Sequence, residues 1–185
     1  MAYALEAALI DQLKRQEEDA FTFVYERHKT QIYNYLLRLS GSRELADDLT
    51  HDTFLSAYES LPKLRADSNI SPWLYRIASN RFRDYLRRKK VISWLPWNDS
   101  PASEANLSCA GEEVELPERE AVQAALRSMK PDYAMCLILR LAEGFSSEET
   151  SQILGISPEA VRMRLSRARI MFKSAYKAVE ECMAS

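Results

Sequence analysis

A chain of 185 residues is long enough for one core or two small ones and too short for a large multi-domain machine. Charged residues make up 28% of it, and no apolar run approaches the roughly 18 residues that a membrane-spanning helix needs, so membrane insertion is not expected. Four glycines and seven prolines, with little apolar/polar alternation, argue against a sheet protein and for an all-α fold.

The opening stretch MAYALEAALIDQLKRQEED carries acids from its sixth residue and has neither the basic start nor the apolar run of an export signal. Cys109, Cys136 and Cys182 are odd in number and lack metal-ligand spacing, so reduced thiols and a cytoplasmic location are expected. Helical spacing then sets in with Phe21, Phe23, Val24, Ile32, Tyr33, Leu36, Leu37 and Leu39, and Gly41-Ser42 breaks it. A second helix is predicted from Arg43 to the break at Pro62, with Leu45, Leu49, Ala57 and Leu61 facing the core. After the loop LRADSNIS, Ser71-Pro72 suits the cap and first turn of a third helix, WLYRIASNRFRDYLRRKK. At about 100° per residue, Leu74, Ala78, Phe82 and Tyr85 share one face of that helix. Arg76, Asn80, Arg83 and Arg87 form a stripe on the other, with Trp73 at its edge.

From Trp94 the chain mixes Pro, Ser, Asn, Gly and Glu without helical period, so residues 94–118 read as a flexible acidic linker between domains at 1–93 and 119–185. Its acidity suits either a solvated tether or a mimic of nucleic acid that occupies a basic channel on a partner. Helical periodicity resumes near Pro117, stops at Lys130-Pro131, and continues through PDYAMCLILRLAEG to a stop at Gly144. The most specific signal follows: a short helix over 147–154, a turn at Gly155, then a Ser157 cap and Pro158 opening a long basic helix. That order is helix-turn-helix grammar. Val161, Leu165, Ala168 and Phe172 form the apolar stripe of the basic helix, and Glu159, Arg162, Met163, Ser166, Arg167 and Lys173 lie opposite.

A net charge of -2 conceals this segregation of bases and acids. Residues 96–120 hold one base against seven acids, whereas Arg162, Arg164, Arg167, Arg169, Lys173 and Lys177 have no acid among them. Two basic patches on a neutral chain are the electrostatic footprint of phosphate-backbone binding. Trp73 and Tyr75, interleaved with arginines, suggest contact with unstacked bases; Phe82 and Tyr85 read as core. The acidic repeat Glu44, Asp48, Asp52 beside His51 fits a solvated surface or a docking face for a basic partner better than a metal cluster. His28 and His51 have no triad partners, and neither a phosphate loop nor a nucleophile elbow is present, so no catalysis, cofactor or metal is expected.

The blocks AFTFVYERH, ELADDLTHDTFLSAY and SPWLYRIASNRFRDYLRRKK resemble the second region of bacterial sigma-70 RNA polymerase sigma factors, in their small extracytoplasmic-function (ECF) group. ALRSMKPDYAMCLILRLAEGFSSEETSQILGISPEAVRMRLSRAR resembles the fourth. The resemblance implies that Asp48, Leu49, His51, Asp52 and Phe54 contact core RNA polymerase. Residues 65–71 and the face bearing Trp73, Arg76, Asn80, Arg83 and Arg87 would recognise the promoter -10 element and hold its single strand. Arg162, Met163, Ser166 and Arg167 would read the duplex -35 element. The linker would thread toward the polymerase active-site and RNA-exit channels, and an anti-sigma factor is an expected partner. Where the family usually has Gln, this chain has His51; where it has an Ile-Ala pair, this chain has Thr150-Ser151, whose hydroxyls can bond back to the helix. A dimeric helix-turn-helix repressor and a metal-dependent nuclease built on Glu44, Asp48 and Asp52 are the rival readings.

Overall fold

The computed structural model describes residues 2–65, 68–92 and 117–183, and every regular element among them is helical. The linker reading falls outside the described residues except at its end, where Pro117 and Glu118 already open a helix. The helices are α1 Ala2–Lys14, α2 Glu18–Ser40, α3 Arg43–Ser60, α4 Ile70–Ile92, α5 Pro117–Ser128, α6 Pro131–Leu141, α7 Ser147–Leu154 and α8 Pro158–Met183. A single 3-10 turn, Leu61–Lys63, follows α3.

In the first half, α2, α3 and α4 pack on one another through Val24, Ile32, Leu36, Leu49, Phe54, Leu74 and Ala78, all buried. Phe23, counted above in the periodic run, is instead 52% exposed, because the core side of α2 is set by the residues at Ala20, Val24 and Ile32. Gly41 ends α2 in the left-handed region (φ 68°), donating its N–H to the Leu37 carbonyl, and the Ser42 hydroxyl accepts from the Leu45 N–H to start α3. The helix α1 was not anticipated from the sequence. It buries Ile10 and Leu13 against α2 and the 3-10 turn.

The start of α4 differs from expectation by a turn fraction. Asn69, not Ser71, caps it: its side-chain oxygen accepts from the Ser71 N–H at 3.2 Å. Pro72 then falls among the first four helical residues, whose N–H groups have no intrahelical acceptor, so its missing donor costs nothing.

In the second half, α5 and α6 pack on α8, and α7 with α8 makes the expected helix-turn-helix. Ser146 and Glu149 form a reciprocal capping box at the start of α7, and Gly155 (φ 68°) ends it. The Ser157 hydroxyl accepts from the Ala160 N–H, fixing the first turn of α8. Val161 and Ala168 are fully buried, while the Cys136 thiol, its pKa raised by burial, donates to the Val161 carbonyl and ties α6 to α8. The two halves also touch, through α4 on α7 and α2 on α5 and α6.

Candidate nucleic-acid interface

On α3, Glu44, Asp48 and His51 are exposed and Asp52 is partly so. At 1.5 Å per residue the three carboxylates run along about 12 Å of one helix face instead of converging on a point. Among the described residues no three His, Cys, Asp or Glu side chains gather closely enough to hold a metal ion. Leu49 and Phe54, given polymerase contacts by the resemblance, are core residues at 2% and 4% exposure. Each lies at least about 100° around the helix from Asp48, and Phe54 stacks edge-on against Tyr25 at 4.8 Å. In this structure both side chains pack into the core beneath the exposed stripe. What the sequence reading missed is Leu55, 51% exposed three residues beyond Asp52 on the same face. The 3-residue step from Asp52 was the available signal. His51 lines a cleft with Tyr25, Lys29 and Tyr33, whereas His28 is satisfied locally by Gln31 at 3.1 Å.

On α4 the expected stripe is assembled. Arg76, Asn80 and Arg87 are exposed, and Arg83 donates to the Asn80 side-chain oxygen at 3.3 Å. Arg87 is paired with Asp84 at 3.1 Å, a solvated pair that a phosphate can displace. Trp73 is half-buried against the core, leaving only part of its ring for a base. Tyr75, by contrast, is 2% exposed and unavailable for stacking on nucleic acid. It points toward the second half of the chain, a placement that no local pattern announced.

On α8 the residues expected to read bases stand clear of the core at the N-terminal end of the helix. Arg162, Met163, Ser166 and Arg167 are all exposed, Met163 by 58%. Arg162 pairs with Glu159 at 2.9 Å. The Glu159 backbone N–H and the Ser157 hydroxyl hold the Glu159 carboxyl below the usual range. Behind this face, Ser151 bonds back to the Glu148 carbonyl as expected, but the fully buried Thr150 hydroxyl has no partner among the described residues.

Two basic helical faces and one acidic face thus sit on separate elements. Residues 24–91 match the family model for sigma-70 region 2, and residues 119–171 match that for sigma-70 region 4. RNA polymerase sigma factor CarQ of Myxococcus xanthus is 33% identical over 81% of this chain and 85% of its own. The chain belongs to the ECF group of sigma-70 factors. ECF sigma factor SigM of Mycobacterium tuberculosis is 30% identical over 81% of this chain and 74% of its own. The fold is that of CnrH in complex with the cytosolic domain of CnrY (TM-score 0.71, 23% identity, 94% of this chain and 97% of that one). It is equally that of the Bartonella quintana sigma factor RpoE bound to the anti-sigma factor NepR (TM-score 0.72, 23% identity, 85% and 96% coverage). As a sigma factor, the chain acts in promoter-specific initiation of transcription.

Proposed function

We propose that this sigma factor works in the cytoplasm as a non-enzymatic initiation factor without metal or cofactor, and that its duties divide among three helix faces. The α3 face, Asp48, His51 and Asp52 with Leu55, docks on core RNA polymerase. The α4 face, Arg76, Asn80, Arg83 and Arg87 with the free edge of Trp73, binds the -10 element and holds the strand that melting exposes. The N-terminal end of α8, Arg162, Met163, Ser166 and Arg167, reads the -35 duplex in the major groove. Residues 1–93 carry the first two duties and 119–185 the third, with 94–118 as the connection.

The observation that supports this division most directly is the segregation of charge: the exposed α3 stripe is acidic, whereas the exposed stripes of α4 and α8 are built on arginine. Arginine suits both tasks, tracking phosphates and bonding guanine edges bidentately. A protein partner of the anti-sigma kind is part of the proposal, since CnrH and RpoE are both described in such complexes or with a cytosolic protein domain.

The deciding measurement is promoter affinity of the purified chain with and without core polymerase at one fixed salt concentration. One helix-turn-helix offers few base contacts, so the chain alone should bind at about 10⁻⁴–10⁻⁶ M. Core polymerase, by docking both halves, should raise affinity about 10²–10⁴-fold. Tight sequence-specific binding by the chain alone, unchanged by polymerase, would favour the repressor and reject this reading.

A further inference from the structure

One side chain of α8 stands apart from its neighbours. Met163 is 58% exposed, a long apolar group on a helix whose other outward residues nearby are charged or polar: Glu159, Arg162, Ser166 and Arg167. At about 100° per residue, Met163 lies about 160° around the helix from Val161 and about 140° from Ala168, both fully buried. It therefore forms the crest of α8, pointing away from the core of the second half. Arg162 and Arg164 flank it at about 100° on either side, while Glu159, Ser166 and Arg167 share its face within about 60°.

Packing does not account for that placement. Met171 of the same helix packs against the core, whereas Met163 stands in solvent and forgoes the gain of burial. Met163 lies within the first two turns of α8, the part of a recognition helix that enters the major groove. What an apolar crest can read there is limited by its chemistry. A thioether has no hydrogen to donate and is only a weak acceptor. It cannot bond guanine O6 and N7, and covering those acceptors with it removes their water without replacing it. The apolar feature that base edges present in the major groove is the methyl group at C5 of thymine. A flexible, unbranched side chain can settle on such a methyl without demanding one docking angle.

We infer that Met163 sets base identity at one position of the -35 element, and that what it reads there is a pyrimidine 5-methyl group in the major groove. This rests on the reading proposed above, that the N-terminal end of α8 enters that groove. The polar residues around the crest have a different task. Arg162, held by Glu159 at 2.9 Å, and Arg167, one turn beyond Met163, bond guanine edges or phosphates. Neither contact tells thymine from uracil, since those bases differ only in the methyl. In duplex DNA the same group is carried by thymine and by 5-methylcytosine, and Met163 favours each over its unmethylated counterpart. Covering one methyl is worth about fourfold in affinity.

The test uses the full chain bound to core polymerase. A duplex pool randomised across both promoter elements is selected with this complex, and the selected sequence is remade with each -35 thymine, on either strand, replaced in turn by deoxyuridine. One of these replacements should weaken wild-type binding about fourfold. At the same position, cytosine should bind more weakly than thymine, and 5-methylcytosine should recover about fourfold over cytosine. Met163→Ala, checked for native helicity by circular dichroism, should bind the thymine and deoxyuridine duplexes alike, and Met163→Leu should keep the difference. Ile170 is 70% exposed on the same face, about 10 Å further along the axis, and supplies the control. Ile170→Ala also removes exposed apolar surface, yet it should keep the difference at that position. A thymine–deoxyuridine difference that survives Met163→Ala would overturn the inference, as would a selected element in which no thymine methyl matters. No gain from 5-methylcytosine would overturn the claim for that base. Failure of the underlying reading of α8 looks different: Arg162→Ala and Arg167→Ala would then leave the selected -35 sequence unchanged as well.

Discussion

Thr150 puts a hydroxyl in the core of the helix-turn-helix with no partner among the described residues, and that has a measurable cost. Leaving one buried polar group unpaired costs about 1–3 kcal/mol, so Thr150→Val, which keeps the shape and removes the oxygen, should stabilise the protein by about 1–2 kcal/mol. For a chain of this size that is about 2–8 °C in the thermal midpoint, readable by circular dichroism. An unchanged or lowered midpoint would mean that the hydroxyl finds an acceptor. The sequence put Thr150 and Ser151 together as two hydroxyls bonding back to the helix, and the structure separates them. Ser151 bonds back to Glu148 near the surface, whereas Thr150 is fully buried, and which of two adjacent residues turns inward depends on the packing of neighbouring helices. Tyr75 was misread for a related reason: periodicity places it on α4 but says nothing of a second half arriving over it. The residues on α8 were legible because a capped, acid-free basic helix fixes its own phase. Arg162→Ala and Arg167→Ala should each weaken the polymerase-bound complex at the -35 element by about 1–3 kcal/mol where they bond a base edge, leaving the -10 contact unaltered. Footprints across the two elements would separate that from a uniform loss, the signature of a mere phosphate contact.

Among the helices, the ones bounded by strong local signals were legible from sequence and the one without them was not. The α7 span follows from Ser146, Glu149 and Gly155, because a capping box and a left-handed glycine are decided within a few residues. Among its described side chains helix α1 buries Ile10 and Leu13, with Leu9 packed partly against the core, too few to stand out as a period. At α4, Ser71-Pro72 was the obvious cap pair, but Asn69 is as good a cap and lies two residues earlier, so the loop that precedes the proposed -10 face is shorter than it looks. Asn69→Ala should therefore cost about 1 kcal/mol in chemical denaturation, and Asn69→Asp should restore it. A matching loss from Ser71→Ala, with none at Asn69, would move the cap back to the serine.

Across the whole molecule, the acidic face of α3 and the contact between the two halves involve different side chains, so docking can be disturbed without touching that contact. Arg38 with Glu143 and Arg83 with Asp132 pair across it, and neither pair includes Asp48 or Asp52. Carboxylates at Glu44, Asp48 and Asp52 repel one another at i, i+4 spacing, a small cost to the folded state. Asp48→Lys replaces two such repulsions by two attractions, each pair worth about 0.2–0.5 kcal/mol, so stability should hold or rise slightly. Binding should move the other way. If the face meets a basic surface on core polymerase, reversing one charge there weakens the complex by about 2–5 kcal/mol where the pair is desolvated, and adding Asp52→Lys weakens it further. An interface role therefore predicts opposite signs for stability and affinity, which a merely structural role cannot produce. The check is a competition titration of fluorescently labelled wild type from core polymerase, alongside denaturation of the same samples and scattering to confirm that the variant remains compact. A compact, fully stable Asp48→Lys that competes as well as the wild type would remove α3 from the docking surface and leave its carboxylate stripe as a solvated face.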